Sequence, residues 1–94
     1  MIVVRNRFTA KPGMASKLAA HLKEALTVSH MGKHRILTDM VGEFNQVVLE
    51  FEIQNLGEFE AMQKEYSTNA AFRDKMKGYT DLWTSGSREI LQIV

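Results

Sequence analysis

Three polar side chains alternate with apolar ones at every second position: Asn6 between Val4 and Phe8 in IVVRNRF, and His34 and Thr38 on either side of Ile36 at the entry to and inside the run 35–41. A histidine titrates near neutrality, so His34 is the candidate general base, and Asn6 or the Tyr66 hydroxyl can hydrogen-bond an anion as it forms. If these residues share the face of a sheet that meets helices, they converge with Tyr66 and Trp83 on an apolar pocket holding a few polar groups, the usual form of a small-molecule site. The competing reading is structural: Asn6 satisfies a backbone group and His34 sits exposed at a strand end.

Other chemistries are poorly supplied. His30-Met31-Gly32-Lys33-His34 has the spacing of a helical metal pair, but Gly32 is expected to end the helix between the two histidines, and Lys33 and Arg35 oppose a cation. No third ligand is in view, so no metal is expected. Ser85-Gly86-Ser87 reads as a turn, because the strand–Ser–helix order of a nucleophile elbow and a following histidine are absent. Without cysteine the chain has no disulfides, thiolate chemistry or Cys-ligated zinc or iron–sulfur sites. That composition fits a reducing cytoplasm.

The elements that must position these residues follow from hydrophobic period. Residues 2–8 alternate as a strand, with Ile2, Val4, Asn6 and Phe8 on one side and Val3, Arg5 and Arg7 on the other. Lys11-Pro12-Gly13 is a turn opening a helix, after which Met14, Leu18, Leu22, Ala25 and Leu26 recur at helical spacing, with an end expected near Gly32. Residues 35–41 and 46–53 are β-rich, and Gly42-Glu43-Phe44-Asn45 between them has the length of a hairpin turn. Asn55 followed by Glu58 is a capping box for a second helix, whose apolar stripe Ser67-Thr68-Asn69 interrupts. Residues 88–94 read as a last strand, and residues 79–86 as either an extended arm or an irregular loop.

This order, β-α-β-β-α-β, predicts a ferredoxin-like α+β fold with a four-stranded antiparallel sheet and both helices on one face. In the third strand Val47, Leu49, Phe51 and Ile53 should meet the helices. Pairing Val41 with Gln46 then puts Arg35, Leu37, Asp39 and Val41 on the far side with Val48, Glu50 and Glu52. With Arg5 and Arg7 beside them, that far side gathers Arg5, Arg7, Arg35, Glu50 and Glu52 around apolar residues. A solvated face is one reading. The other is a homodimer interface, in which the patch packs against its own symmetry copy.

The 94 residues suffice for one domain, 1–94, and 45% apolar with 24% charged residues is ordinary for a globular chain. A net charge of +1, with Lys and Arg spread along the chain, excludes the basic footprint of a nucleic-acid binder. MIVVRNRF is strand-like and lacks the apolar run and cleavage site of a signal peptide, and no stretch is long enough to span a membrane. A cytoplasmic protein without membrane partners is expected.

On particular stretches the chain resembles the dimeric α/β-barrel superfamily, and within it the antibiotic-biosynthesis-monooxygenase-like domains. These are Val4 to Phe8 running into Lys11-Pro12-Gly13, the passage into the second helix through Phe59, and the closing Arg88-Glu89-Ile90-Leu91. The resemblance covers nearly the whole length and speaks to fold rather than chemistry. It implies two sheets face to face in a dimeric barrel, with residues 88–94 reaching across to the partner. Members include cofactor-independent oxygenases, haem-degrading enzymes, isomerases and proteins with no known activity. By this likeness the chain is a small-molecule enzyme, a cofactor-independent monooxygenase of a phenolic, quinol or enol-like metabolite. The alternative is a dimeric module that binds a small molecule or associates without catalysis.

A second alternative is the haem-degrading branch, which RNRFTAKPG resembles in placing Asn6 at a functional asparagine. There the likeness stops, because that branch's helical tryptophan falls at Met62 and its axial histidine near Met76. Methionines at helical spacing are core far more often than haem ligands, so no cofactor is expected.

Overall fold

In the computed structural model, which describes residues 1–30 and 32–94, the alternating N-terminal run forms β1 over Ile2–Ala10. Helix α1 spans Ala15–Leu26 and buries Leu18, Leu22, Ala25 and Leu26 on one stripe. It stops short of Gly32, contrary to the expectation from the sequence. The apolar period fails after Leu26, and the Thr27 hydroxyl donates to the Glu24 carbonyl at 2.6 Å, closing the last turn. The histidine pair is therefore not on a helix: His30 follows α1 in irregular chain and His34 opens the next strand, while Met31 between them lies outside the described residues.

Strands β2 (His34–Thr38) and β3 (Gln46–Ile53) pair antiparallel, but not in the expected register. Thr38 faces Val47 and Asp39 takes the place opposite Gln46, so Val41 is left in the connecting loop, 97% exposed. The reason is local. The Asp39 carboxylate accepts the Gln46 backbone N–H at 2.9 Å while the Asp39 N–H donates to the Gln46 carbonyl, and Asn45 supplies the positive φ of 62° that re-enters β3. Because the slip is two residues, every side chain keeps its face.

Helices α2 (Leu56–Thr68) and α3 (Ala70–Met76) meet at Asn69, the interruption read from the sequence. The Asn55 side chain caps α2 by accepting from Glu58 N, and the Glu58 carboxylate reaches back to Gln54 N. Asn69 Oδ1 accepts from Phe72 N to start α3 while its Nδ2 donates to the Val28 carbonyl at 3.0 Å, tying the break to the end of α1. Asn69→Ala loses both bonds and should cost about 1–2 kcal/mol in urea unfolding, with little change in far-UV helix signal.

After Gly78, in the left-handed region at φ 86°, a 3-10 turn covers Tyr79–Leu82, and β4 runs over Trp83–Gln92. The last strand is thus longer than residues 88–94, and the ambiguous stretch is a short turn followed by strand. Gly86 lies under the aromatic cluster, where a Cβ would touch the Phe8 ring at 3.4 Å and Trp83 at 3.5 Å, ordinary van der Waals contact.

The sheet order is β2-β3-β1-β4, all antiparallel, with α1, α2 and α3 on one face. Its core is Val4, Val47, Leu49, Phe51 and Ile53 against Leu18, Leu22, Ala25, Leu26, Phe72 and Met76. On the other face, pairing sets Arg35, Glu50, Arg5 and Glu89 in one row across four strands, alternating in sign. Glu50 is the centre of that row. It accepts Arg5 Nε at 2.6 Å and Arg35 Nε at 2.8 Å, and its side chain is only 6% exposed. Burial pushes its pKa up, but the hydrogen bonds from Arg35 and Arg5, with their charges, outweigh this and hold it below the ordinary 4.5. Arg7 and Glu89 approach to 3.8 Å, and Glu52 pairs with Lys33 at 3.3 Å.

Candidate functional site

Helix α2 buries none of its residues, whereas α1 buries a stripe of four and α3 buries Phe72 and Met76, and a gap is left between the Phe59–Tyr66 side of α2 and strands β1 and β3. The gap is a cavity of about 280 Å³. Val4 and Phe8 of β1 with Leu49 and Phe51 of β3 form its floor, Leu22, Leu26, Phe72 and Met76 its back, and Phe59 and Met62 of α2 its outer wall. The polar residues in its lining are Asn6, Gln63, Tyr66, Tyr79 and Arg88.

Asn6 and Arg88 sit directly opposite each other on β1 and β4. Arg88 Nε donates to Asn6 Oδ1 at 2.6 Å, and the guanidinium carbon lies 5.4 Å from the Phe59 ring centroid, within cation–π range. Tyr66 meets Phe72 edge-on at 5.8 Å, and Tyr79 meets Phe8 edge-on at 6.3 Å. Burial raises the Tyr79 pKa above 10.0, the nearby Tyr66 adds to the rise, and Arg88 opposes it. Tyr79 therefore stays protonated at neutral pH, with a hydroxyl hydrogen to donate. Such a rim can orient and stabilise an oxygen anion held against apolar walls.

Of the residues singled out in the sequence, Asn6 and Tyr66 meet at this cavity. The other three lie elsewhere. His34 is on the helix-facing side of β2, but β3 separates it from β1; it is exposed, close to the Gly32 carbonyl at 3.2 Å and 6.1 Å from the Phe51 ring. Thr38 is exposed at the far end of the same edge strand. Trp83 packs on Phe8 at 5.3 Å and Tyr79 at 6.3 Å outside the cavity lining, and its buried Nε1 has no hydrogen-bond partner among the described residues. Face parity had placed His34 and Thr38 correctly as to side, but parity does not say how many strands lie between two residues. Arg88, Tyr79 and Gln63 were missed. Arg88 was legible only once the β1–β4 register put it opposite Asn6.

Of the usual haem ligands the lining holds no imidazole or thiolate, and the position near which the haem-degrading branch carries its axial histidine is the thioether of Met76. Among the described residues no group of three or more His, Asp or Glu could hold a metal ion. Nor is any helix among them long and apolar enough to cross a membrane.

Solved structures share this architecture. An uncharacterized NIPSNAP domain protein from Burkholderia xenovorans superposes with a TM-score of 0.85 at 12% identity, covering 100% of this chain and 95% of that one. SnoaB, a cofactor-independent oxygenase from Streptomyces nogalater, superposes at 0.70 with 14% identity, covering 98% of this chain and 91% of that one. A candidate antibiotic biosynthesis monooxygenase from Chloroflexus aurantiacus superposes at 0.71 with 14% identity, covering 99% and 92%. The chain has their fold. The ferredoxin-like, monooxygenase-like architecture expected from the sequence is thus present, and at these identities the likeness speaks to fold alone. No protein-family model matches the sequence, and no curated protein does.

Proposed function

We propose that the protein is a small-molecule enzyme, a cofactor-independent monooxygenase that takes an apolar phenol, quinol or enol into the cavity between sheet and helices. The observation that carries this reading is that Asn6, Tyr66, Tyr79 and Arg88, linked by the Asn6–Arg88 hydrogen bond and the mutual influence of Tyr66, Tyr79 and Arg88, line one largely apolar cavity. The fold shared with a protein described as a cofactor-independent oxygenase supports it.

The substrate supplies the electrons. Loss of a proton from the hydroxyl of the phenol or enol gives an anion with electron density on a ring or vinylic CH carbon, the carbon that is CH2 in the keto tautomer, and that carbon adds to dioxygen and takes up a proton as a hydroperoxide. Loss of water then leaves a carbonyl, so CH2 and O2 become C=O and H2O, with one oxygen atom in each product. The protein's share is to exclude water, hold the ligand oxygen against rim donors and keep the anion stable. With no carboxylate or imidazole in the lining, the proton passes to water at the rim.

The same reading takes the open face, where the apolar Leu37 and Leu91 are each 40% exposed beside the Arg35–Glu50–Arg5–Glu89 row, as the contact between two copies of the chain. One observation favours the non-catalytic alternative: His34, the best base in the sequence, is outside the cavity.

Oxygen uptake separates the two readings. A phenolic ketone with an activated CH2 should consume one O2 per carbonyl formed, with one atom of labelled dioxygen in the product, and His34→Ala should match wild type. Tight binding of such compounds without uptake would leave a binding module, and absence of binding would remove the cavity from the account.

A further inference from the structure

We propose that the cavity takes its ligand as an anion, with the charged oxygen paired to Arg88, and that Asn6 is the positioning residue that aims the guanidinium. This rests on the cavity being a small-molecule site and names the class it selects: an apolar molecule with a single acidic oxygen, as in a phenol, enol or carboxylic acid.

The arginines of this sheet divide sharply. On the open face Arg5 and Arg35 bond Glu50, and Arg7 approaches Glu89. Arg88, on the cavity side, is in none of the ion pairs among the described residues, and its polar partner is the neutral Asn6. Asn6 occupies Nε, which leaves the two terminal nitrogens for another group, while the Phe59 ring limits the plane in which the guanidinium can lie.

Among the described residues lining the cavity, none neutralises this charge. The titratable and charged groups in its lining are Tyr66 from α2, Tyr79 from the turn before β4, and Arg88 itself, with none from β1, β3, α1 or α3. Both tyrosines are donors when protonated. Next to apolar walls, where water screens poorly, a cation is worth more to an anionic ligand than on an open surface. Arg88 is itself exposed at the mouth, so the effect is moderate rather than that of a sealed ion pair.

The test uses 4-nitrophenol, whose anion and neutral form absorb differently, with neutral nitrobenzene as the control for the cavity alone. On binding to the whole protein, the probe's pKa should fall by about one unit, equivalent to roughly tenfold tighter binding of the anion than of the acid. Arg88→Gln should abolish the shift, and Arg88→Lys should keep part of it. Asn6→Asp, which sets a carboxylate against the guanidinium, should also abolish it. Nitrobenzene, which is neutral and accepts only weakly through its nitro oxygens, should bind all three variants within about threefold of wild type, against the roughly tenfold selectivity for the anion that they lose, a readout that a merely structural role for Arg88 or Asn6 would disturb. An unshifted probe in wild type, or the same shift in Arg88→Gln, would overturn the proposal while nitrobenzene binding leaves the cavity reading in place. Failure of nitrobenzene to bind would overturn both.

Discussion

Replacing Glu50 with alanine is expected to destabilise the protein by about 2–3 kcal/mol, because a carboxylate serving two guanidiniums is removed and both lose their partner on the strand between them. The figure sits below that for a fully buried pair because Arg5 and Arg35 are 30% and 69% exposed and can turn partly to water. The pH dependence has a definite sign. The folded pKa of Glu50 is lowered, so its contribution is complete above the unfolded value near 4.5 and is lost as pH falls through the lower folded value. Urea unfolding of wild type should therefore weaken on the acid side of 4.5, and Glu50→Gln should lose part of that slope. If two copies pack through this face, light scattering at micromolar concentration gives a dimer for wild type and a weaker one for Glu50→Ala. A wild-type protein that stays folded and monomeric there would return these charges to solvent.

Filling the cavity should have the largest effect on ligand binding. Leu49 lies at the middle of β3, buried, with its side chain on the cavity floor beside Asn6 of the neighbouring strand. A tryptophan there occupies the space that the account reserves for ligand. Leu49→Trp is expected to reduce nitrobenzene and nitrophenol affinity at least about tenfold, at an overpacking cost of roughly 1–3 kcal/mol in stability. Circular dichroism separates the two effects, since a folded variant that still binds at wild-type affinity would place the ligand somewhere other than this cavity.

How far the sequence could be read depended on what kind of information each feature carries. The first and third strands, the cap at Asn55 and the break at Ser67-Thr68-Asn69 are local signals that appear where the residues put them, whereas the second strand ends at Thr38 rather than Val41 and the fourth runs over Trp83–Gln92 rather than 88–94. The face of each side chain also survived the β2–β3 register error, because a two-residue slip preserves parity and even brings Arg35 opposite Glu50. The site was harder. Asn6 and Tyr66 stand out as polar residues near apolar runs, but their companion Arg88 looks like any surface arginine until β4 is paired with β1. His34 was attractive for its chemistry, yet strand order, a long-range property, sets it at the sheet edge. Residues 79–86 offered no clean period, and a left-handed Gly78 followed by a 3-10 turn is set by packing of Tyr79 and Trp83 on Phe8.

The most direct test of the account is a crystal structure of the protein with 4-nitrophenol bound. The ligand should lie between Phe59 and the floor formed by Val4 and Leu49, with its phenolic oxygen within hydrogen-bonding distance of the Arg88 terminal nitrogens. Ligand density on the open sheet face or beside His34, with the cavity between sheet and helices empty of it, would contradict the account.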